Sequence, residues 1–154
     1  MNYAAEIISN TVNESQPAIE LLSIGLSSEK VEAFVKAVRA SGMPGHSTYP
    51  TSAHLLEQRL NDGDAHVLLA ALPRAFIDLE SLLEMRTANG SDFALVLFGQ
   101  LGEKPVRHNN VRDFLLPADE ARAPMVIVRE YGDLMTRRRL RQMERRLLET
   151  EHRC

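Results

Sequence analysis

After Pro17 the apolar residues come in two alternating rhythms, short unbroken runs and stripes spaced three and four apart. Ile19 to Ile24 is a run ended by Gly25 and reads as a strand. Val31, Phe34, Val35 and Val38 then fall at i, i+3, i+4 and i+7, the buried stripe of a helix. Ser27 or Ser28 can cap that helix, and Ser41-Gly42 stops it. A weak strand follows near His46 to Tyr49. Pro50-Thr51-Ser52 starts a second helix with Leu55, Leu56 and Leu60 inward, closed by Asn61-Asp62-Gly63. Ala65 to Leu72 is nearly continuous apolar, the pattern of a strand covered on both faces. Leu79, Leu82, Leu83 and Met85 mark a third helix ended by Asn89-Gly90, and Phe93 to Phe98 a second fully apolar strand. Phe114 to Leu116 is a short fifth strand. Ala123 or Pro124 opens a long last helix, proline being suited to a first turn. Residues 1–17 are polar and weakly periodic and read as a loose N-terminal arm, with a short helix over Ala4 to Ile8.

Five strands alternating with helices, the middle ones apolar throughout, predict an α/β fold with a parallel sheet and helices on both faces. The doubly wound, flavodoxin-like order 2-1-3-4-5 is favoured at this length. Gly99 to Arg112 includes Gly102, Pro105 and Asn109-Asn110, too short and broken for two loops and a full helix. The helix between the fourth and fifth strands is therefore expected to be a turn or absent. The chain divides into an arm (1–17), a domain (18–136) and a helical linker (137–154).

Composition narrows the function. Hydrophobic residues make up 44%, enough to bury a core. A net charge of −3 argues against a dedicated nucleic-acid binder. Apolar runs such as Val67 to Pro73 fall far short of the roughly 18–20 residues of a membrane span. The first basic residue is Lys30, so no secretory signal is expected. The one cysteine, Cys154, leaves no internal disulfide framework, and a soluble cytosolic protein is expected. The charge is uneven: residues 1–105 are net −6 and the remainder net +3.

In such a sheet a ligand would bind beyond the carboxyl ends of the strands. The segments there are Gly25-Leu26-Ser27-Ser28, Ala70-Ala71-Leu72-Pro73, Gly99-Gln100 and Leu116-Pro117, almost devoid of ionisable groups. Magnesium would want converging carboxylates, and a phosphate loop would want more than one glycine and a following lysine. Asp119 and Glu120 are the nearest acids, suited to the positive end of the last helix. His46, His54, His66, His108 and His152 show no close metal-ligand spacing, and no G-x-S-x-G elbow is present. Neither catalysis nor a cofactor is expected.

The layout from Ile19 to Thr136 resembles a response-regulator receiver domain. H-V-L-L-A-A-L-P at 66–73 is similar to the third-strand motif in which a phospho-accepting aspartate precedes a proline by four. D-F-L-L-P-A at 113–118 resembles the fifth-strand lysine–proline motif. Carried over, the phospho-acceptor position falls on Leu69, the acidic pair on Gly25 and Leu26 or one residue later, and the switch hydroxyl on Phe98 or Gly99. The lysine position falls on Leu116, with Pro117 retained. The resemblance thus implies a pseudo-receiver, unable to accept a phosphoryl group or hold Mg²⁺ and constitutively closed.

In the last helix Ile127, Val128, Tyr131 and Leu134 share a face suited to docking on the sheet. Beyond them Leu140, Met143 and Leu147 recur at a three–four spacing, with Thr136, Thr150 and Cys154 in register and Arg137, Arg138, Arg139, Arg141, Arg145 and Arg146 around the seam. This reads as a short coiled-coil linker, under three heptads and marginal alone. The tail L-R-Q-M-E-R-R-L-L-E-T-E-H-R-C resembles the receiver-to-PAS linker of FimX/Filp-type cyclic-di-GMP proteins, ordered receiver, PAS, GGDEF, EAL. That resemblance implies an N-terminal piece of a longer signalling protein controlling type IV pilus function, with the cell pole as one candidate address. Its implied partners are its own downstream domains, signalling or pilus-assembly proteins, or a second copy. The rival expectations are a phospho-accepting receiver or small flavodoxin-like enzyme using Asp62, Asp64 or Asp119, and a targeting domain ahead of a pilus or chemosensory ATPase.

Overall fold

The computed structural model describes residues 18–63, 65–72, 75–88, 92–104 and 111–152. The N-terminal arm, Asp64, Pro73, Asn89-Gly90, His108 and Cys154 lie outside the described residues.

The chain runs through β1 (Ile19–Ile24), α1 (Ser28–Ala40), β2 (Gly45–Thr48), α2 (Ala53–Asn61), β3 (Val67–Ala70), α3 (Leu79–Ala88), β4 (Ala94–Phe98) and β5 (Asp113–Leu115). A 3₁₀ turn (Pro117–Arg122) then leads into α4 (Ala123–His152). The strands form one parallel sheet in the order β2-β1-β3-β4-β5. Between β4 and β5 the described residues hold a turn and no helix.

Every residue of β3 and β4 is buried, so the sheet has two cores. Ile19, Leu21, Val67, Leu69, Val96 and Phe98 meet Val31, Phe34, Val35 and Val38 of α1 and Val126, Ile127 and Tyr131 of α4. On the other face Leu22, Leu68, Leu95 and Leu97 meet Leu56 and Leu60 of α2 and Leu82 of α3. Local signals place the helices. Ser27 caps α1, its Oγ accepting from Lys30 N at 3.3 Å, and Ser52 caps α2, accepting from Leu55 N at 3.2 Å. Asp78 does the same for α3 through Ser81 N at 2.8 Å.

Three expectations need correction. Leu55 is 44% exposed rather than inward; α2 has only nine residues, and Leu56 and Leu60, one turn apart, already cover the sheet. The last strand runs one residue earlier, Asp113–Leu115, because its parallel register on β4 pairs Asp113 with Val96 and Leu115 with Phe98, the last residue of β4. Asp119 and Glu120 lie in the 3₁₀ turn before α4 and do not open the helix itself.

α4 runs antiparallel to the strands, from their carboxyl ends to their amino ends. There Arg138 Nη2 donates to the carbonyls of Ala65 at 3.2 Å and Asp92 at 2.8 Å. The buried Asp92 carboxylate takes Arg137 in a two-point pair at 3.3 Å and Arg141 at 3.4 Å. Contact with the sheet therefore continues past residue 137 to Arg141.

At the amino end of β5, Asp113 and Glu130 are both buried and adjacent to Arg129. Burial and the neighbouring Asp113 push Glu130 up to about 7. Burial also acts to raise Asp113, but hydrogen bonds from Glu130 and Arg129 outweigh it, and Asp113 lies below the usual carboxylate range. Among the described residues Asp113 Oδ2 has no hydrogen-bond partner, and the Glu130 carboxyl, when protonated, is the neighbouring group able to donate to it.

Three outcomes follow from this packing. Leu134→Ala removes a fully buried side chain and should cost about 2–5 kcal/mol in urea unfolding. Gly132→Ala, in mid-helix with open space around a new Cβ, should stabilise by about 0.5–1 kcal/mol in the same assay. Because the folded state holds the Glu130 proton more tightly than the unfolded chain, stability should fall as pH rises from the ordinary glutamate value of 4.5 to about 7. Unfolding midpoints across that window should show the fall in the native protein and a flatter profile in Glu130→Gln.

Candidate functional site

The crevice at the carboxyl ends of the strands is shaped by two glycines. Gly25 leaves β1 with φ +78°, and a Cβ there would drive into the Ala71 carbonyl oxygen, so only glycine lets β1 turn into α1 beside β3. At Gly99 a Cβ would meet the Phe114 ring at 2.6 Å and Leu116 Cδ2 at 3.0 Å, so its absence lets β5 close against the end of β4. Beyond β5, Leu116 N donates to Asp119 Oδ2 at 3.3 Å and Asp119 N to Leu116 O at 2.8 Å. That capped turn presents Glu120 to the crevice.

The result is a cavity of about 380 Å³. Gly25, Leu26, Ala71, Phe98, Gly99, Leu101 and Pro117 give it an apolar lining, and Ser27, Lys30, Gln100 and Glu120 supply the polar groups. Phe98 is stacked on Phe34 of α1, with centroids 5.7 Å apart, which fixes the wall. Lys30 Nζ donates to Glu120 Oε1 at 2.8 Å, joining the first turn of α1 to the 3₁₀ turn across the opening. The cap at Ser27 sets the direction of Lys30. Sequence reasoning missed this pair, whose members are 90 positions apart.

Of the positions singled out by the resemblance, Gly25, Leu26, Phe98 and Gly99 line the cavity and Leu116 packs beside Gly99. Leu69 lies deeper, within β3 opposite Ser23 and Val96, and is wholly buried. Ala71, two residues on and in the same core, takes its place at the crevice wall. Among the acids of the rival reading, Asp62 ends α2 at the far end of the sheet, and Asp119 is engaged by the backbone of Leu116. Tyr131 packs edge-on against His66 at 5.0 Å and Leu134 is fully buried, whereas Leu140, Met143 and Leu147 are exposed and separate from them. His66 Nδ1 accepts from Glu20 N at 2.9 Å, a structural role.

The donor set does not suit the magnesium ion of a phospho-accepting receiver. A hard divalent cation wants several carboxylate or carbonyl oxygens directed at one point. Among the described residues the crevice offers one carboxylate, Glu120, and Lys30 already holds it. Among the described residues, no group of three or more His, Cys, Asp and Glu side chains could hold a metal ion, and no helix is long and apolar enough to cross a membrane.

No family model matches the chain, and no curated protein matches it in sequence. Among solved structures, a response regulator receiver domain protein from Bacillus halodurans is similar in fold, with a TM-score of 0.50. It is 11% identical in sequence, and the match covers 75% of this chain and 97% of that one. Together with the strand order, the likeness establishes a receiver-like, flavodoxin-type α/β fold.

Proposed function

We propose that this chain is a pseudo-receiver: a signalling module that accepts no phosphoryl group and acts through protein contact. One observation carries the reading. Among the described residues the only carboxylate lining the crevice, Glu120, is paired with Lys30, and the strand ends around it are glycine, alanine, leucine and phenylalanine. Phosphoryl transfer needs a nucleophilic carboxylate and a metal to offset the charge developing on the phosphoryl oxygens. An alanine or leucine at the end of β3 supplies neither. The Lys30–Glu120 pair bridges α1 and the turn that feeds α4, so it favours one fixed arrangement of the crevice in place of a phosphorylation-dependent one.

The output element in this reading is α4, which starts at the crevice and carries Tyr131 and Leu134 against the sheet before its exposed end. The tail's resemblance to FimX/Filp-type linkers supports a place ahead of PAS, GGDEF and EAL domains in a cyclic-di-GMP protein acting on type IV pili. The residues described here serve as the contact and relay piece. Degenerate phosphorylation-site positions are Gly25, Leu26, Leu69, Phe98, Gly99 and Leu116, with Ala71 added by the geometry.

Incubation with a small acyl or amidophosphate donor and Mg²⁺, read by intact mass and by acid-labile label, should leave the protein unmodified. Stable incorporation at Asp62, Asp64 or Asp119 would establish the displaced-site receiver instead. Coding sequence continuous with residue 154 tests the context, a PAS segment supporting the cyclic-di-GMP reading and an ATPase redirecting it to a targeting role.

A further inference from the structure

The end of α4 carries a pattern that no contact among the described residues uses. Leu140, Met143 and Leu147 are 54%, 53% and 65% exposed. They fall at successive a, d and a positions of a heptad, followed by Thr150 at d. At about 100° per residue this seam points roughly opposite to Leu134, Arg138 and Arg141, which hold the helix to its own sheet, with Arg137 to one side of it. The domain therefore cannot cover the seam without releasing Asp92. Upstream the seam stops, because the preceding a position is Asp133, held by Arg112 at 2.6 Å.

The flanking charges identify the occupant. With Leu140 at a, the g positions are Arg139 and Arg146 and the e positions are Glu144 and Glu151. In a parallel, in-register pair of helices each g residue faces the e residue five positions later on the other chain. Arg139 then stands opposite Glu144 of a second copy and Arg146 opposite Glu151, and by symmetry all four contacts are between opposite charges. An antiparallel pair would instead bring g to g and e to e, arginine against arginine and glutamate against glutamate. The pattern is self-complementary in one orientation only.

We propose that residues 140–152 form a parallel, in-register two-stranded coiled coil with a second copy of this chain, leaving the two receiver-like domains side by side with their crevices at the distal ends. The seam is less than two heptads within the described helix, so the dimer is weak and concentration-dependent. The inference stands on α4 and not on the crevice: phosphorylation of the domain would sink the pseudo-receiver reading and leave the dimer intact.

The test uses the full chain in sedimentation equilibrium over a wide concentration range. The native protein should pass from monomer to dimer. Glu144→Arg with Glu151→Arg, and separately Arg139→Glu with Arg146→Glu, should each weaken that dimer on the order of tenfold, and mixing the two variants should restore it as a heterodimer. Arg139, Glu144 and Arg146 are exposed and Glu151 lies in the last turn of the helix, so the helical circular dichroism of the domain should be unchanged and separate lost pairing from lost folding. For orientation, Leu147→Cys in a Cys154→Ser chain should cross-link to itself on mild oxidation, and Arg145→Cys in the same background should not. A monomer at every concentration, a dimer indifferent to both charge reversals, or cross-linking only between Leu140→Cys and Leu147→Cys chains would overturn the proposal.

Discussion

The constraint on which the molecule depends is that β3 and β4 have no face turned to water. Nine consecutive-strand residues, Val67–Ala70 and Ala94–Phe98, are all buried, so helices must cover both sides of the sheet and parallel crossovers are the way to put them there. α1 and α4 take one face, α2 and α3 the other. With both faces occupied, the rim is where backbone groups at the strand ends remain accessible. The two rims have opposite chemistry. The carboxyl rim is apolar with a single cross-bridge, and the amino rim is held by arginines of α4 on Asp92 and on strand-end carbonyls.

That arrangement fixes what α4 can do. A thirty-residue helix is about 45 Å long, whereas strands of four to six residues span about 13–20 Å. Beginning at the crevice and running down the sheet, it must overshoot the amino rim. Arg137, Arg138 and Arg141 clamp it where it leaves. One rigid element thus joins the crevice to whatever lies beyond the domain. The clamp matters more than its ion pairs do individually: Arg138 binds the two backbone carbonyls ahead of β3 and β4 at once, while Arg141's half-exposed pair with Asp92 contributes little.

Much of this was legible in residue order, and the failures have physical reasons. The stripe Val31, Phe34, Val35, Val38 and the runs around β3 and β4 specified their elements because each buries a full face. α2 was legible as a helix but not in its rotation, since Leu55 and Leu56 are equally apolar and a nine-residue helix needs only one of them inward. The crevice was legible as apolar from the strand ends, yet its depth was not. Proline spacing directed attention to Leu69, whereas the register of β3 against β1 and β4 carries the strand to Ala70 and brings Ala71 to the wall. The Lys30–Glu120 pair and the Asp113–Glu130–Arg129 group join residues distant in sequence, and no local pattern encodes them.

Placing the buried carboxylates at one end of the sheet and the vacancy at the other also separates their consequences. Asp113 of β5 and Glu130 of α4 are buried beside Arg129, and burial together with Asp113 pushes Glu130 up to about 7. Ionising Glu130 places a second charge beside Asp113 in a poorly hydrated place, where the half-exposed Arg129 and the more exposed Arg112 are the facing cations, and the desolvation cost falls on the β5–α4 contact. At the crevice one lysine faces one glutamate, both partly open to water. The charge that is hard to satisfy therefore sits at the β5–α4 seam, and α4, which touches both rims, is the element that joins the two ends of the sheet.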